Sequence, residues 1–256
     1  MRIIRFKDTK GQIQTGWIFD DQVGLIHGDI FGEFHREATS MTLNDINLLS
    51  PVTPSKIICL GRNYAAHAKE HGAEVPKVPL IFMKPPSAII AHEEDIILPP
   101  QSNQVEHEAE LAIVIGKRGR WITAEEANDH IFGYTIANDV TARDLQRTDN
   151  QWTRAKGFDT FCPLGPWIET QMNPLDALIT CRVNGEMRQM GSTRDMVFDI
   201  PQIVAFISSV MTLLPGDIIL TGTPAGVSPL QPGDIVEVSI EGIGTLRNTV
   251  RKNESK

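Results

Sequence analysis

Three glutamates at alternate positions are the strongest chemical signal in this sequence. Glu106, Glu108 and Glu110 lead directly into the apolar run Leu111–Ile115. Because side chains alternate faces along a strand, the three carboxylates are predicted to point the same way and to repel one another. A bound cation would relieve that repulsion, and oxygen ligands suit a hard ion such as Mg²⁺, Mn²⁺ or Ca²⁺. Taken alone, the segment is equally consistent with a solvated strand edge.

A second polar group follows the predicted strand Tyr134–Val140. Asp139 comes at the end of that strand, where its carboxylate could supply a third metal ligand. Arg143 and Gln146 are three residues apart, which places them side by side on a helical turn. Since a guanidinium can hold a carboxylate with two hydrogen bonds, this pair could bind an acidic substrate. An Asn/Asp cap followed by a surface arginine is the alternative.

His67 and Glu70 form an i,i+3 pair on a short predicted helix that Gly72 ends. A carboxylate beside an imidazole fixes its tautomer and supports it as a general base. His71 is a competing partner, four residues from His67. The alternative is an exposed pair without a catalytic role.

Two further segments place polar groups where burial is expected. Lys156 lies next to Gly157 among apolar residues, and a partly buried ammonium there would need an anion or a substrate oxygen. Thr223 lies in the segment Leu220–Val227, whose small residues let backbone and hydroxyl groups approach a ligand closely. A tight loop alone would also explain that segment.

The elements that must position these residues are predicted to be mostly strands. The 20 glycines and 16 prolines are spread along the whole chain, which favours strands and turns over long helices. Strands are predicted at Lys56–Leu60, Glu108–Ile115, Asp217–Leu220, Ile235–Ile240 and Gly244–Val250. The longest helix is predicted over Pro201–Leu213, and another begins at Thr123, with Glu126 completing a capping box.

Residues 1–52 are predicted to form a small N-terminal β module, with short strand patterns on either side of a turn at Asp20–Asp21. Pro51 and Pro54 then resist both helix and sheet, as expected in a linker. We therefore expect a second, larger domain over residues 53–256.

The composition excludes several classes of function. A net charge of −8 argues against nucleic acid or an anionic membrane as the main partner. The N-terminus turns polar too early for a signal peptide, and no apolar run approaches the roughly 20 residues that a membrane helix needs. The 3 cysteines include no CxxC pair, which argues against a disulfide framework or a thiolate zinc site and predicts a reducing cytoplasm.

Taken in order, these segments resemble the fumarylacetoacetate hydrolase family. The matching stretches are GRNYAAHAKE, FMKPPSAI, HEAELAIVIGK, YTIANDVTARDLQ, RAKGFDTFCPLGPW and PGDIILTGTPAGV. They cover roughly residues 54–240, and several ordered motifs are far more specific than any one of them. The N-terminal module resembles the extra domain of bacterial hydroxyheptadienedioate isomerases.

The resemblance implies a mainly β fold with some α, a mixed β-roll or β-sandwich core, and a Mg²⁺ or Mn²⁺ site. Its Glu-x-Glu motif matches Glu108 and Glu110, so Glu106 is expected outside the metal ligands, and its later Asp matches Asp139. The four-carboxylate arrangement of fumarylacetoacetase itself is not evident in this chain.

The resemblance also implies roles for the remaining candidates. Lys156 matches an active-site lysine, and His67 with Glu70 matches the catalytic pair on a lid helix. The positions that hold substrate oxygens correspond to Arg143, Gln146 and Thr223. The Pro-rich segment 73–79, which has no core pattern, is expected to let that helix close over a ligand.

The expected activity is that of a metal-dependent hydrolase acting on carbon–carbon bonds of small keto acids. In an acylpyruvate-like 2,4-diketo acid, the metal would bind the pyruvoyl end, and His67 would deprotonate the attacking water. The metal and Lys156 would then stabilise the pyruvate enolate.

The same enolate chemistry also fits decarboxylation of oxaloacetate or a related diacid, or isomerisation of 2-hydroxyhepta-2,4-diene-1,7-dioate in aromatic catabolism. A non-catalytic binder of keto acids is a further alternative. The resemblance suggests a homodimer, and the cysteine usage indicates a cytoplasmic location.

Overall fold

The computed structural model describes residues 1–253 and is dominated by strands. The strands are β1 Arg2–Lys7, β2 Ile13–Phe19, β3 Gln22–Gly28, β4 Phe34–Arg36, β5 Met41–Thr42, β6 Asn47–Leu49, β7 Ile57–Gly61, β8 Leu80–Lys84, β9 Ile89–Ile90, β10 Asp95–Leu98, β11 Val105–Glu106, β12 Ala109–Ile115, β13 Ile131–Asn138, β14 Thr141–Ala142, β15 Cys162–Glu169, β16 Leu178–Val183, β17 Glu186–Ser192, β18 Ile218–Leu220, β19 Ile235–Ile240 and β20 Gly244–Lys252. The α-helices are α1 Ala65–Glu70, α2 Arg143–Thr148, α3 Thr153–Lys156 and α4 Ile200–Val210.

The strands form one large sheet and one smaller sheet. The 13-stranded sheet runs in the order β4-β3-β2-β1-β15-β13-β12-β18-β7-β8, with β5, β6 and β9 paired at its sides. The 5-stranded sheet runs β10-β20-β19-β16-β17, and β11 pairs with β14 in a short ribbon. With 42% of residues in strands and 16% in helices, the predicted mainly β fold with some α is confirmed.

Strand β12 lies at the centre of the large sheet, between β13 and β18, and all seven of its residues are buried. Leu111 and Ile113 belong to one apolar cluster, whereas Ala112 and Val114 belong to another. Both faces of the strand are therefore covered, as its continuous apolar sequence requires. The carboxylate of Glu110 enters this core one step before the apolar run begins.

The N-terminal strands extend the same large sheet. β1 pairs antiparallel with β15, Arg2 opposite Glu169, and the amino group of Met1 donates to Oε1 of Glu169 at 2.8 Å. A linker segment over residues 50–56 follows without helix or strand. The division of the chain at residue 52 stays a prediction, because the sheet is continuous across it.

The helices differ from the prediction in extent. The longest, α4, begins one residue earlier and ends three residues earlier than predicted, with Asp199 and Gln202 forming its capping box. The predicted helix at Thr123 was wrong: Thr123 and Glu126 do exchange capping hydrogen bonds, but only a short 3₁₀ turn, Ala127–His130, comes after them. The chain then enters β13 at once, which leaves no room for a longer helix.

Within residues 1–253, none of the helices has both the length and the apolar character needed to span a bilayer.

Candidate active site

Three buried carboxylates converge where β12 and β13 lie side by side. Glu110 on β12 is opposite Ala137 on β13, and the backbone N–H of Asp139 donates to the carbonyl of Glu108 at 2.9 Å. One oxygen from each of Glu108, Glu110 and Asp139 lies within 4.8 Å of the others. The antiparallel register thus brings Asp139 to Glu108 and Glu110, which lie about thirty positions before it in the sequence.

Two buried lysines neutralise two of these carboxylates. Lys156, at the end of α3, donates from Nζ to Oε2 of Glu108 at 2.7 Å and to Oδ2 of Asp139 at 2.8 Å. Lys84, the last residue of β8, donates to Oδ1 of Asp139 at 2.6 Å. Burial raises the pKa of Glu108, but the positive charges of Lys156 and Arg143 outweigh it and hold that pKa well below its usual range.

Glu106 lies outside this cluster and pairs with Arg143. The Nε of Arg143 donates to Oε2 of Glu106 at 2.7 Å, while its Nη2 donates to Oε1 of Glu108 at 2.5 Å. Arg143 also donates to Oε1 of Gln146 at 2.5 Å, so the i,i+3 spacing places these two side chains together on α2. Glu106 thus pairs with the guanidinium and does not join the cluster of three carboxylates.

Glu110 has no comparable cation. Within the described chain its carboxylate accepts a hydrogen bond from the backbone N–H of Gly222 at 2.6 Å, and no lysine or arginine forms an ion pair with it. Burial, reinforced by the charges of Asp139 and Glu108, raises the pKa of Glu110 well above its usual range. Gly222 has φ +95°, and a Cβ there would lie 2.7 Å from the Cβ of Asn63, so only glycine fits this approach.

This donor set fits a hard divalent ion. Its oxygens converge, they are buried, and among the described residues Glu110 has no lysine or arginine in an ion pair, so a cation beside it would favour its ionised form. Glu108, Glu110 and Asp139 are therefore the residues that could hold the ion.

The predicted catalytic pair lies on α1, beside the carboxylates. His67 is 6% exposed, and its Nδ1 lies 3.4 Å from Oε2 of Glu70. Burial lowers the pKa of His67, although the charge of Glu108 opposes that effect. Both carboxylate oxygens of Glu70 accept from the N–H of Gly226, at 3.1 and 3.2 Å. Helix α1 is thus held against Gly226, with His67 at the cavity wall. Residues 73–79 after it contain no helix or strand.

A cavity of about 280 Å³ joins these groups. Its wall includes seven of the nine predicted site residues: His67, Glu108, Glu110, Arg143, Gln146, Lys156 and Thr223. The other two, Glu70 and Asp139, contact residues that line the cavity. Glu70 lies beside His67, and Asp139 accepts a hydrogen bond from Lys156. All nine predicted side chains therefore lie in one neighbourhood, and their individual roles stay predictions.

Several contributing residues were not predicted. Lys84 ends an apolar strand, a position that indicates burial but not its partner Asp139. Gln189 is fully buried, and its Nε2 donates to Oγ1 of Thr223 at 2.7 Å, thereby fixing that hydroxyl. No sequence pattern marks this glutamine, because the exposed residues around it on β17 resemble a surface strand. Arg62 also lines the cavity, and its guanidinium lies 5.9 Å from the ring centroid of Trp152.

Comparisons with known proteins match most of the chain. The family model described as fumarylacetoacetate (FAA) hydrolase C-terminal matches residues 56–251, and one described as Rv2993c-like, N-terminal matches residues 1–51. A mitochondrial oxaloacetate tautomerase of Bos taurus is 47% identical over 220 residues, which are 81% of this chain and 70% of that protein.

Two solved structures carry the same fold over nearly their whole length. The 5-carboxymethyl-2-hydroxymuconate delta-isomerase of Mycobacterium smegmatis superposes with a TM-score of 0.93 at 46% identity, covering 99% of this chain and 100% of that one. The 2-hydroxyhepta-2,4-diene-1,7-dioate isomerase of Mycobacterium marinum gives 0.91 at 44% identity, covering 100% of both chains. Given these matches and the conjunction of carboxylates, lysines and histidine in one cavity, the chain belongs to the fumarylacetoacetate hydrolase family.

Proposed function

We propose that this protein moves a proton between carbon and oxygen on a small dicarboxylic 2-keto acid. Enol–keto tautomerisation of oxaloacetate, or double-bond isomerisation of a longer dienedioate, is the reaction class that the site supports best. The similar proteins support this choice, since their names describe a tautomerase and two isomerases. Isomerisation therefore ranks above the hydrolysis that the sequence motifs favoured.

The observation that carries the proposal is the arrangement of one base and several cations around a small cavity. His67 is buried, and the same cavity is lined by Lys156, Arg143 and Arg62. A base that takes a proton from carbon needs nearby positive charge to stabilise the enolate that forms. Lys156 carries that charge.

The cations also favour a substrate with two carboxylates. Arg143 is already paired with Glu106 and Glu108. Arg62 differs, because no carboxylate in residues 1–253 forms an ion pair with it, and its guanidinium contacts the ring of Trp152. A guanidinium without a carboxylate partner at a cavity wall suits a distal carboxylate of the substrate. At about 280 Å³ the cavity is small enough to favour a short diacid.

The proton transfer can be written with the chain's own residues. In the keto-to-enol direction, the neutral imidazole of His67 takes a proton from the carbon beside the keto group. The electron pair of that C–H bond forms the C=C bond, and the keto oxygen takes up the negative charge. The carboxylate of Glu70, 3.4 Å from Nδ1, stabilises the imidazolium that forms, and the ammonium of Lys156 stabilises the charge on oxygen. The imidazolium then gives that proton to the enolate oxygen, which forms the enol and restores the neutral imidazole. In the reverse direction, the imidazole of His67 takes the enol proton from oxygen and returns it to carbon.

Glu108, Glu110 and Asp139 would hold a divalent ion, for which we propose Mg²⁺ or Mn²⁺. When bound, such an ion supplies Lewis-acid stabilisation of negative charge on a substrate oxygen.

Acylpyruvate hydrolysis is the second candidate. It is favoured by one observation: the imidazole of His67 faces the cavity with Glu70 behind it, which is the arrangement that activation of a water requires. Oxaloacetate decarboxylation needs no such base, and the geometry around His67 does not favour it.

A substrate panel in the presence of Mg²⁺ tests the proposal. Enol-oxaloacetate, 2-hydroxyhepta-2,4-diene-1,7-dioate and two acylpyruvates would be supplied at equal concentration, with enol absorbance and pyruvate release measured separately. We expect rapid conversion of at least one diacid without pyruvate release. Faster pyruvate release from an acylpyruvate would support the second candidate instead.

Two sequence-based expectations also stay proposals. We expect a homodimer, which light scattering on the eluted protein would test, and a cytoplasmic location. Cys59, Cys162 and Cys181 are all buried and unpaired, as is common in a reducing compartment.

A further inference from the structure

Helix α1 carries a second group of metal-ligating side chains, separate from the three buried carboxylates. His67, Glu70 and His71 occupy positions i, i+3 and i+4, which fall on one face of a helix. One ligand atom from each of them lies within 4.8 Å of the others. The two imidazole rings are 4.7 Å apart between centroids and inclined at 76°, so their edges can be directed toward one point.

The buried nitrogen of His67 gives independent support for a ligand at this position. His67 is only 6% exposed, and among residues 1–253 its Nδ1 has no hydrogen-bond partner. The nearest charged oxygen, Oε2 of Glu70, is 3.4 Å away. Buried polar atoms without partners are rare in folded proteins, because leaving one unsatisfied is energetically costly. A metal ion bound by His67 and Glu70 would satisfy this nitrogen.

The carboxylate of Glu70 is held in place from the other side. The backbone N–H of Gly226 donates to both its oxygens, at 3.1 and 3.2 Å. Such outer contacts fix the orientation of a ligand and raise metal affinity. Gly226 has φ +104°, and a Cβ there would lie 2.1 Å from the carbonyl oxygen of Arg188, so a side chain at 226 would disturb this contact.

The donors differ in chemistry from the carboxylate cluster. Two imidazole nitrogens and one carboxylate oxygen suit Zn²⁺, whereas Mg²⁺ prefers oxygen ligands alone. We propose that His67, Glu70 and His71 form a second metal site that binds Zn²⁺ and inhibits the enzyme by occupying the imidazole of His67. The binding part stands on geometry alone, and the inhibition part rests on the proposed function.

Calorimetric titration of Zn²⁺ into the full-length protein, with Mg²⁺ in large excess, tests the site. We expect one Zn²⁺ per chain, and binding at least about tenfold weaker in His71→Ala and in Glu70→Gln. His35→Ala is the matched control, because His35 is an exposed histidine that stacks on His27 in the N-terminal strands. Co²⁺ in place of Zn²⁺ supplies an optical signature, an intense visible band in the wild type that His71→Ala weakens.

A third variant separates this site from the carboxylate cluster. Zn²⁺ binding that survives in His71→Ala and Glu70→Gln but is lost in Glu110→Gln would overturn the proposal, since the ion would then occupy the carboxylates. Where His71→Ala fails to fold, as judged by circular dichroism, Glu70→Gln alone decides. Zn²⁺ bound at α1 without loss of activity would support the site and contradict the role of His67 in the proposed function.

Discussion

Lys156 donates to Oε2 of Glu108 at 2.7 Å in the interior of the protein, where both side chains are almost fully removed from solvent. The carboxylate lowers the energy of the buried ammonium, and the ammonium does the same for the carboxylate. The ammonium of Lys156 thus stays charged at the cavity wall, where a substrate oxygen becomes negative.

Removing the ammonium should destabilise the protein as well as inactivate it. In Lys156→Met, Glu108 and Asp139 each lose a buried partner, so we expect about 3–5 kcal/mol less free energy of unfolding in the metal-free protein. Urea unfolding in the presence of EDTA measures this change. The double variant Lys156→Met/Glu108→Gln should recover part of the loss, because one uncompensated charge is removed. A loss under about 1 kcal/mol in the single variant would show that the pair is not buried as described.

Metal affinity should depend on the three clustered carboxylates and not on Glu106. We expect Glu110→Gln and Asp139→Asn to weaken Mg²⁺ or Mn²⁺ binding by at least about 100-fold in calorimetry. Glu106→Gln is the matched control, since its carboxylate contacts Arg143 instead. Chelation should abolish activity, and either ion should restore it. Metal binding lost in Glu106→Gln but kept in Glu110→Gln would place the ion elsewhere.

Arg62 should discriminate diacids from monoacids. Arg62→Met is expected to lower kcat/KM by about 10–100-fold for a dicarboxylic substrate, the cost of losing a charge-assisted hydrogen bond. The rate for an acylpyruvate without a second carboxylate should change little. Arg36→Met is the control, because Arg36 also lies over a tryptophan ring, that of Trp17 in the N-terminal strands. Equal losses with both substrates would mean that Arg62 supports the structure of the cavity wall and does not bind the second carboxylate.

The contact between the amino terminus and Glu169 should make stability depend on pH. Burial raises the pKa of Glu169, but the hydrogen bonds from the Met1 amino group and the Gln171 N–H outweigh it, so its pKa lies below the ordinary 4.5. Its contribution is therefore fully present above pH 4.5 and is lost as the pH falls through the lowered value.

We expect Glu169→Gln to lower the free energy of unfolding by about 1 kcal/mol or less at pH 7, with the difference from wild type shrinking as the pH falls below 4.5. Glu186→Gln, at an exposed ion pair, should show no such dependence. A difference that grows on acidification would contradict the contact.

The sequence was most informative at the ends of strands. Glu108 and Glu110 lie at the start of an apolar run, and Asp139 directly follows β13, so antiparallel pairing was enough to bring them together. Strand alternation could not separate Glu106 from its neighbours. That distinction came from the family resemblance, and in the structure Arg143 accounts for it.

Contacts between side chains far apart in the sequence could not be predicted from it. Lys84 reaches Asp139 only because β8 ends beside the segment that follows β13, and Gln189 is buried only because its strand packs beside the loop of Thr223. At Thr123 the capping pattern was correct but the helix was not, since a capping box sets its own hydrogen bonds and does not set the length of the helix after it.

Deuterium incorporation tests proton transfer by His67 most directly. The holoenzyme would be incubated with oxaloacetate in D₂O, and the product trapped as malate by malate dehydrogenase and analysed by NMR. We expect one deuterium at C3, in one stereochemical position, with little pyruvate formed. His67→Asn should slow this incorporation by about 10²–10⁴-fold. Deuterium at both C3 positions at the uncatalysed rate, or equal incorporation by wild type and His67→Asn, would contradict proton transfer by His67.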